Sequence, residues 1–205
     1  MFKVVELKKI VVFVILFCTI FAFFYYKNFL SGNNIFKNRS DRNIEEFLKN
    51  CNNYTADMTV TVNSNKTQNI YDMYQEVRDN YTMQEITDGE NIKGVKIELD
   101  GENLKISNPN LKLEKIYEGY KNVLNNSMFL NSFEEDYKNE ENEVKSYDKN
   151  DEIVFEVKLS SNQNTYIKNK KLYVNIETLM PTKMEINDNA QNETICIIYN
   201  NVEFN

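Results

Sequence analysis

The side chains able to do chemistry in this chain are carboxylates and three cysteines, because histidine is missing altogether. That absence removes the group that most readily shuttles protons near neutral pH and most often ligates transition metals. Clustered acids such as Glu134-Glu135-Asp136 and Glu140-Glu141 have the composition of an acid/base pair. They sit in polar runs with no apolar flank to raise one pKa, so they read as a solvated helix face. Gly94 and Gly101 are isolated turn or bulge glycines, and no phosphate loop, nucleophile elbow or paired CxxC is present. No catalytic, cofactor-binding or metal-binding residue is assigned, and the chain is expected to be no enzyme.

Cys18 lies inside an apolar run, which leaves Cys51 and Cys196 as the pair able to bridge in the rest of the chain. Such a disulfide would tie an N-terminal helix to the final strand; the alternative is two separate buried thiols. Cys18 is also the candidate lipidation residue. A lipid-modified cysteine normally ends its apolar core after a small residue, whereas Phe17 precedes Cys18 and Thr19 to Phe24 continue the run.

Composition narrows the classes further. With 24 Lys+Arg against 31 Asp+Glu and a net charge of −7, the chain lacks the basic footprint of nucleic-acid binding. Its 205 residues suit one domain plus an N-terminal addition.

The elements that would position any site follow from periodicity. Ile10 to Tyr26 is an unbroken apolar run behind Lys3, Lys8 and Lys9. It approaches the roughly 20 residues of a spanning helix and exceeds the usual signal-peptide core. Residues 1–30 are read as a single-pass membrane anchor with the bulk outside, and 31–42 as a linker. A helix capped by Ser40 or Asp41 is expected to run through about Cys51, with Ile44, Phe47, Leu48 and Cys51 on one apolar face.

From Tyr54 the period becomes two. Tyr54, Ala56, Met58, Val60 and Val62 alternate with polar residues, and strands are expected next over Ile70 to Tyr81 and Tyr81 to Thr87. Val95, Ile97 and Leu99 lead through the turn signal Asp100-Gly101 to Leu104 and Ile106. Leu111 to Asn126 has Ile116, Tyr120, Val123 and Leu124 at helical spacing, and Ser132 is placed as the cap of a second helix through Phe133 and Tyr137. Lys138 to Asp151 reads as a solvated loop. A second meander follows, with Ile153, Phe155 and Val157, then Leu172, Val174 and Ile176, then Met184 and Ile186, then Ile195, Ile197 and Tyr199.

Residues 43–205 therefore read as an α+β domain, a curled antiparallel sheet forming a half-open barrel covered by helices. Met58, Met73, Met83, Phe155 and Met184 are placed facing its interior, where they either line an acyl-chain cavity or form an ordinary core.

Four stretches in order carry a resemblance. Tyr54 to Val62, Leu99 to Ile106, Pro181 to Ile186, and Ile197 to Asn200 with Phe204-Asn205 resemble the GerS germination lipoproteins of spore-forming clostridia. More distantly they are similar to the LolA/LolB lipoprotein-carrier superfamily. The resemblance covers roughly Asn43 to Asn205 and agrees with the expected fold. It implies a non-enzymatic role in sporulation and germination, on the outer side of a forespore or mother-cell membrane. The implied partner is a cortex N-acetylmuramoyl-L-alanine amidase; no partner-contact residues are transferred. The other readings are a carrier or sensor holding a lipid or lipoprotein acyl chain, and a homodimer.

Overall fold

The computed structural model describes residues 47–64, 66–120, 127–160 and 166–205. The chain divides into Met1–Arg42 and Asn43–Asn205, and every described residue falls in the second unit. The apolar run Ile10 to Tyr26, the linker, Ser40, Asp41, Ile44, Cys18, Val123 and Leu124 lie outside the described residues. Among the described residues no helix is long and apolar enough to cross a membrane.

Period-two patterning produces strands because successive side chains point to opposite faces, so one face can be dry while the other is wet. The first six strands are β1 (Tyr54–Asn63), β2 (Gln68–Arg78), β3 (Tyr81–Asp88), β4 (Lys96–Asp100), β5 (Asn103–Asn108) and β6 (Leu113–Tyr117). After the helix α1 (Leu130–Lys138) come β7 (Glu143–Lys149), β8 (Glu152–Lys158), β9 (Asn169–Asn175), β10 (Pro181–Asn187) and β11 (Glu193–Phe204). The two expected meanders are one sheet, ordered β6-β5-β4-β3-β2-β1-β11-β10-β9-β8-β7 and antiparallel throughout. They join where β1 pairs with β11, from Tyr54 opposite Phe204 to Val62 opposite Ile195. The sheet is not closed: β6 and β7 are its two edges.

Directly opposed residues share a face, so the registers show which side chains meet. Phe155, Leu172, Met184, Ile197 and Val60 form a continuous row across β8, β9, β10, β11 and β1, and all five are buried in the core. Phe47, Leu48 and Cys51 join them from the helical residues 47–50 and the turn that follows, as their spacing predicts. Phe129, Leu130 and Phe133 of the α1 region fill the same core face. Tyr137 stacks on Phe133 and meets Phe155 edge-on, each with ring centroids 6.1 Å apart.

Several expectations are corrected. The helix expected from Leu111 gives way to a short 3-10 turn, Pro109–Leu111, and the edge strand β6. All of β6 pairs with β5, and after Gly119, at φ 67°, Tyr120 N–H still donates to the Glu102 carbonyl at 2.7 Å. The expected loop over Lys138 to Asp151 contains β7, paired with β8 along its whole length. Ser132 lies inside α1, whose N-cap is Phe129. The hairpin turn sits one residue later than expected, on Gly101-Glu102 between the paired Asp100 and Asn103, and Gly101 supplies the required positive φ of 58°. Met83 is buried but lies on the opposite face, across from Glu76 and Glu98, whereas Met58, Met73, Phe155 and Met184 belong to the core cluster.

Candidate functional site

α1 is held on the sheet by buried polar groups as well as by its apolar face. Phe129 offers no side-chain cap, so the first N–H groups of the helix need another acceptor. Tyr54 on β1 supplies it: Leu130 N–H donates to Tyr54 Oη at 3.1 Å, and that hydroxyl donates to Gln75 Oε1 on β2 at 3.0 Å. Gln75 Nε2 completes the set by donating to the Met128 carbonyl at 3.4 Å. At the other side of the helix, Lys170 of β9 is 2% exposed. Its ammonium donates to Ser132 Oγ at 3.0 Å and pairs with Asp136 at 2.5 Å. Burial holds the Lys170 ammonium below its ordinary pKa, and the charge of Asp136 offsets this only in part. Glu134 accepts from Asn52 at 2.6 Å and binds Lys138.

The acidic run Glu134-Glu135-Asp136 is thus no fully solvated face: Glu134 and Asp136 fasten the helix through Asn52 and Lys170. Glu140 and Glu141 are exposed, as expected. Cys51 and Cys196 are free thiols, so the considered bridge is not made. The reason is geometric. Cys51 is in the core, while Cys196 alternates with the core residues Ile195 and Ile197 and so points to the outer face. Burial drives the Cys51 thiol well above its ordinary range, with the nearby Glu134 adding to it. Cys196, half-buried beside Glu193, is pushed up to about 11.

The outer face carries its own polar cluster. Tyr173 donates to Glu185 at 2.9 Å, and Lys183 pairs with Glu185 at 2.7 Å while lying 4.0 Å above the Tyr173 ring. Burial would raise the Glu185 pKa, but the hydrogen bonds from Lys183 and Tyr173 outweigh it and leave the carboxyl below its ordinary value. Two buried polar atoms find no partner among the described residues, Tyr199 Oη in the core and Asn169 Oδ1 on the outer face. Among the described residues, no group of three or more His, Cys, Asp or Glu gathers as metal ligands.

Beyond the helix the core face changes character. The row that begins at buried Val77 continues through Thr82 and Leu99 to Leu104 and Tyr117, and the next row runs from Gln75 through Gln84, Ile97 and Ile106 to Lys115. Ile97 and Ile106 are each 37% exposed, and Leu113 on β6 is 61% exposed. Where this bare face meets α1, a trough of about 560 Å³ has Val77, Thr82 and Leu99 on one side and Phe129, Asn131 and Glu135 on the other. At the opposite end of the strands an open cleft of about 930 Å³ is lined by Val62, Ile167 and Ile195, with a polar rim including Asn63 and Asp188. Sequence reasoning missed the Tyr54, Gln75 and Lys170 contacts to the helix. Lys170, set two residues before Leu172 on the face predicted to be dry, was the available signal.

In this architecture buried polar groups fix a helix to a sheet and, among the described residues, leave one edge of the sheet without a neighbouring strand on the β6 side. The chain belongs to the YdcC-like sporulation protein family, whose model matches residues 7–205. No curated protein sequence matches it. Among solved structures it is similar to the CwlD amidase–GerS lipoprotein complex from Clostridioides difficile, with 22% identity, 82% of this chain and 96% of the matched chain covered, and TM-score 0.48. An uncharacterized conserved protein from Thermus thermophilus matches with 7% identity, covering 81% of this chain and 87% of that one, at TM-score 0.51. A LolA superfamily protein from Nitrosomonas europaea matches at 12% identity and TM-score 0.38, over 78% and 93% of the two chains.

Proposed function

We propose that the chain is a non-enzymatic sporulation protein, tethered to the cell membrane by residues 1–30, that binds and supports a cortex peptidoglycan amidase. The observation that carries this reading is the sporulation-family match across nearly the whole chain. The partner class comes from the stretches Tyr54 to Val62, Leu99 to Ile106, Pro181 to Ile186 and Ile197 to Asn200, which resemble the GerS proteins. The polar side chains of the interior are consistent with it, because Tyr54, Gln75 and Lys170 bond to helix and sheet groups. Binding then falls to the open surfaces.

The test is co-purification of the full chain with the N-acetylmuramoyl-L-alanine amidase of the same organism, paired with cortex analysis in a deletion strain. A stable complex and altered cortex modification are expected. Absence of a complex together with normal cortex refutes the reading.

A second reading, an acyl-chain carrier or sensor, is favoured by one feature, the cleft walled by Val62, Ile167 and Ile195. Against it, the space beneath the helix is filled by Phe47, Phe133, Phe155, Leu130 and Leu172. Native mass spectrometry of the full chain decides: a bound lipid supports the carrier, and a lipid-free mass removes it.

A further inference from the structure

The two edges of the sheet are built differently. On β7, four of seven residues are charged (Glu143, Lys145, Asp148 and Lys149), and Glu143 pairs with Lys145 at 2.8 Å and with Lys158 at 3.6 Å. Charges of this kind are how a sheet edge is kept from pairing with another chain. On β6, Leu113, Ile116 and Tyr117 make three of five residues large and apolar, and every one is exposed. One side of β6 is bonded to β5, and the other has no strand beside it among the described residues. Tyr117 ends the row of Leu99 and Leu104, Lys115 ends the row of Ile97 and Ile106, and Leu113 lies opposite Asn108, all on the core face, so an added strand would extend that face as well as satisfy the edge.

We propose that β6 is a docking edge for an extended segment of the protein partner, one carrying an acidic residue between two apolar residues at alternate positions. This rests on the reading that the chain binds an amidase and assigns that contact to a surface. The acidic residue follows from charge. Glu114 is compensated by Lys105 at 2.9 Å, whereas Lys115 has no carboxylate partner among the described residues and lies 5.6 Å from the Tyr117 ring centroid. An antiparallel strand would set its residues opposite Leu113, Lys115 and Tyr117 on the core face, which calls for the sequence apolar, any, acidic, any, apolar.

The same geometry disfavours a second copy as occupant. A two-fold axis through the sheet must oppose residues of equal parity. The registers centred on Lys115, Glu114 or Ile116, inside the strand, then set Lys115 against Lys115, Glu114 against Glu114, or Glu114 against Glu118. Each brings like charges face to face, which is destabilising.

The test places a photo-crosslinking phenylalanine analogue in the full chain at Leu113 or Ile116, and at Val144 or Tyr147 on the other edge, in complex with the amidase. Amidase adducts are expected from 113 and 116 and not from 144 or 147. Lys115→Glu should weaken amidase binding by roughly tenfold while Lys145→Glu changes it by less than about twofold, with thermal unfolding confirming that both variants fold. Adducts only from β7, or adducts of the chain with itself from β6, overturn the docking edge and leave the amidase reading standing. Undiminished binding by Lys115→Glu overturns the acidic requirement. If the unsubstituted chain forms no complex with the amidase, the amidase reading fails and this inference with it.

Discussion

The two halves of the sheet carry similar period-two patterns and meet opposite fates. In β8 to β11 and β1, the core face is roofed by α1 and by the helical residues 47–50, and Phe155, Leu172 and Ile197 are shut away from solvent. In β4 to β6 no helix among the described residues lies over the same face, and Ile97, Ile106 and Tyr117 are exposed there while Leu104 is buried. Apolar periodicity therefore reports that a strand has a face to cover, and says nothing of what covers it. A roof inside the chain makes a core; its absence leaves a surface for something else.

The comparison can be broken most severely at Phe133, the centre of the roof. Phe133→Ala should cost about 3–5 kcal/mol by denaturant unfolding, since a large, fully buried side chain is removed from a packed site. Lys170→Ala comes next. It strands Asp136 and Ser132, and a loss of about 2–3 kcal/mol is expected, below the roughly 3–5 of a wholly buried pair because Asp136 is partly exposed. Two tyrosine truncations sharpen the contrast within the core. Tyr54→Phe removes the acceptor of the first helix N–H and the donor to Gln75, for a loss of about 1–2 kcal/mol. Tyr199→Phe removes a hydroxyl that has no partner among the described residues and should be neutral or stabilising by up to about 1 kcal/mol. On the bare half, Ile106→Ala should change stability by less than about 1 kcal/mol.

The smallest effect is in pH. The Glu185 carboxyl lies below its ordinary value when folded, so its contribution is complete above the unfolded pKa near 4.5 and is lost as pH falls through the lower folded value. Thermal unfolding followed below pH 5 should fall less steeply for Glu185→Gln than for the unsubstituted chain. A parallel slope would remove Glu185 from the acid response.

Sequence made the half-buried strands legible. β1, β8, β10 and β11 each have one dry face, and that is the condition under which alternation shows. The edge strands β6 and β7 bury no full face, so their apolar residues do not alternate regularly. Ile116 and Tyr120 then match a helix by accident, and Glu143 to Lys149 looks like a solvated loop. The capping of α1 was hidden for a different reason. Local rules search for Ser, Thr, Asp or Asn beside the helix, and Ser132 satisfied them, but the acceptor is a hydroxyl 76 positions earlier in the chain. Joining the meanders into one sheet through β1 and β11 is a long-range pairing of the same kind. It also settles the geometry of the cysteines, because it fixes Cys196 on the face opposite Cys51.

Hydrogen–deuterium exchange of the full chain, read peptide by peptide with and without the amidase, tests the contrast between the two halves most directly. Slow exchange is predicted in β1 and β8 to β11, fast exchange in β6, and protection of β6 on adding the amidase. Strong protection of β6 in the free chain, or protection gained only along β7, would contradict it.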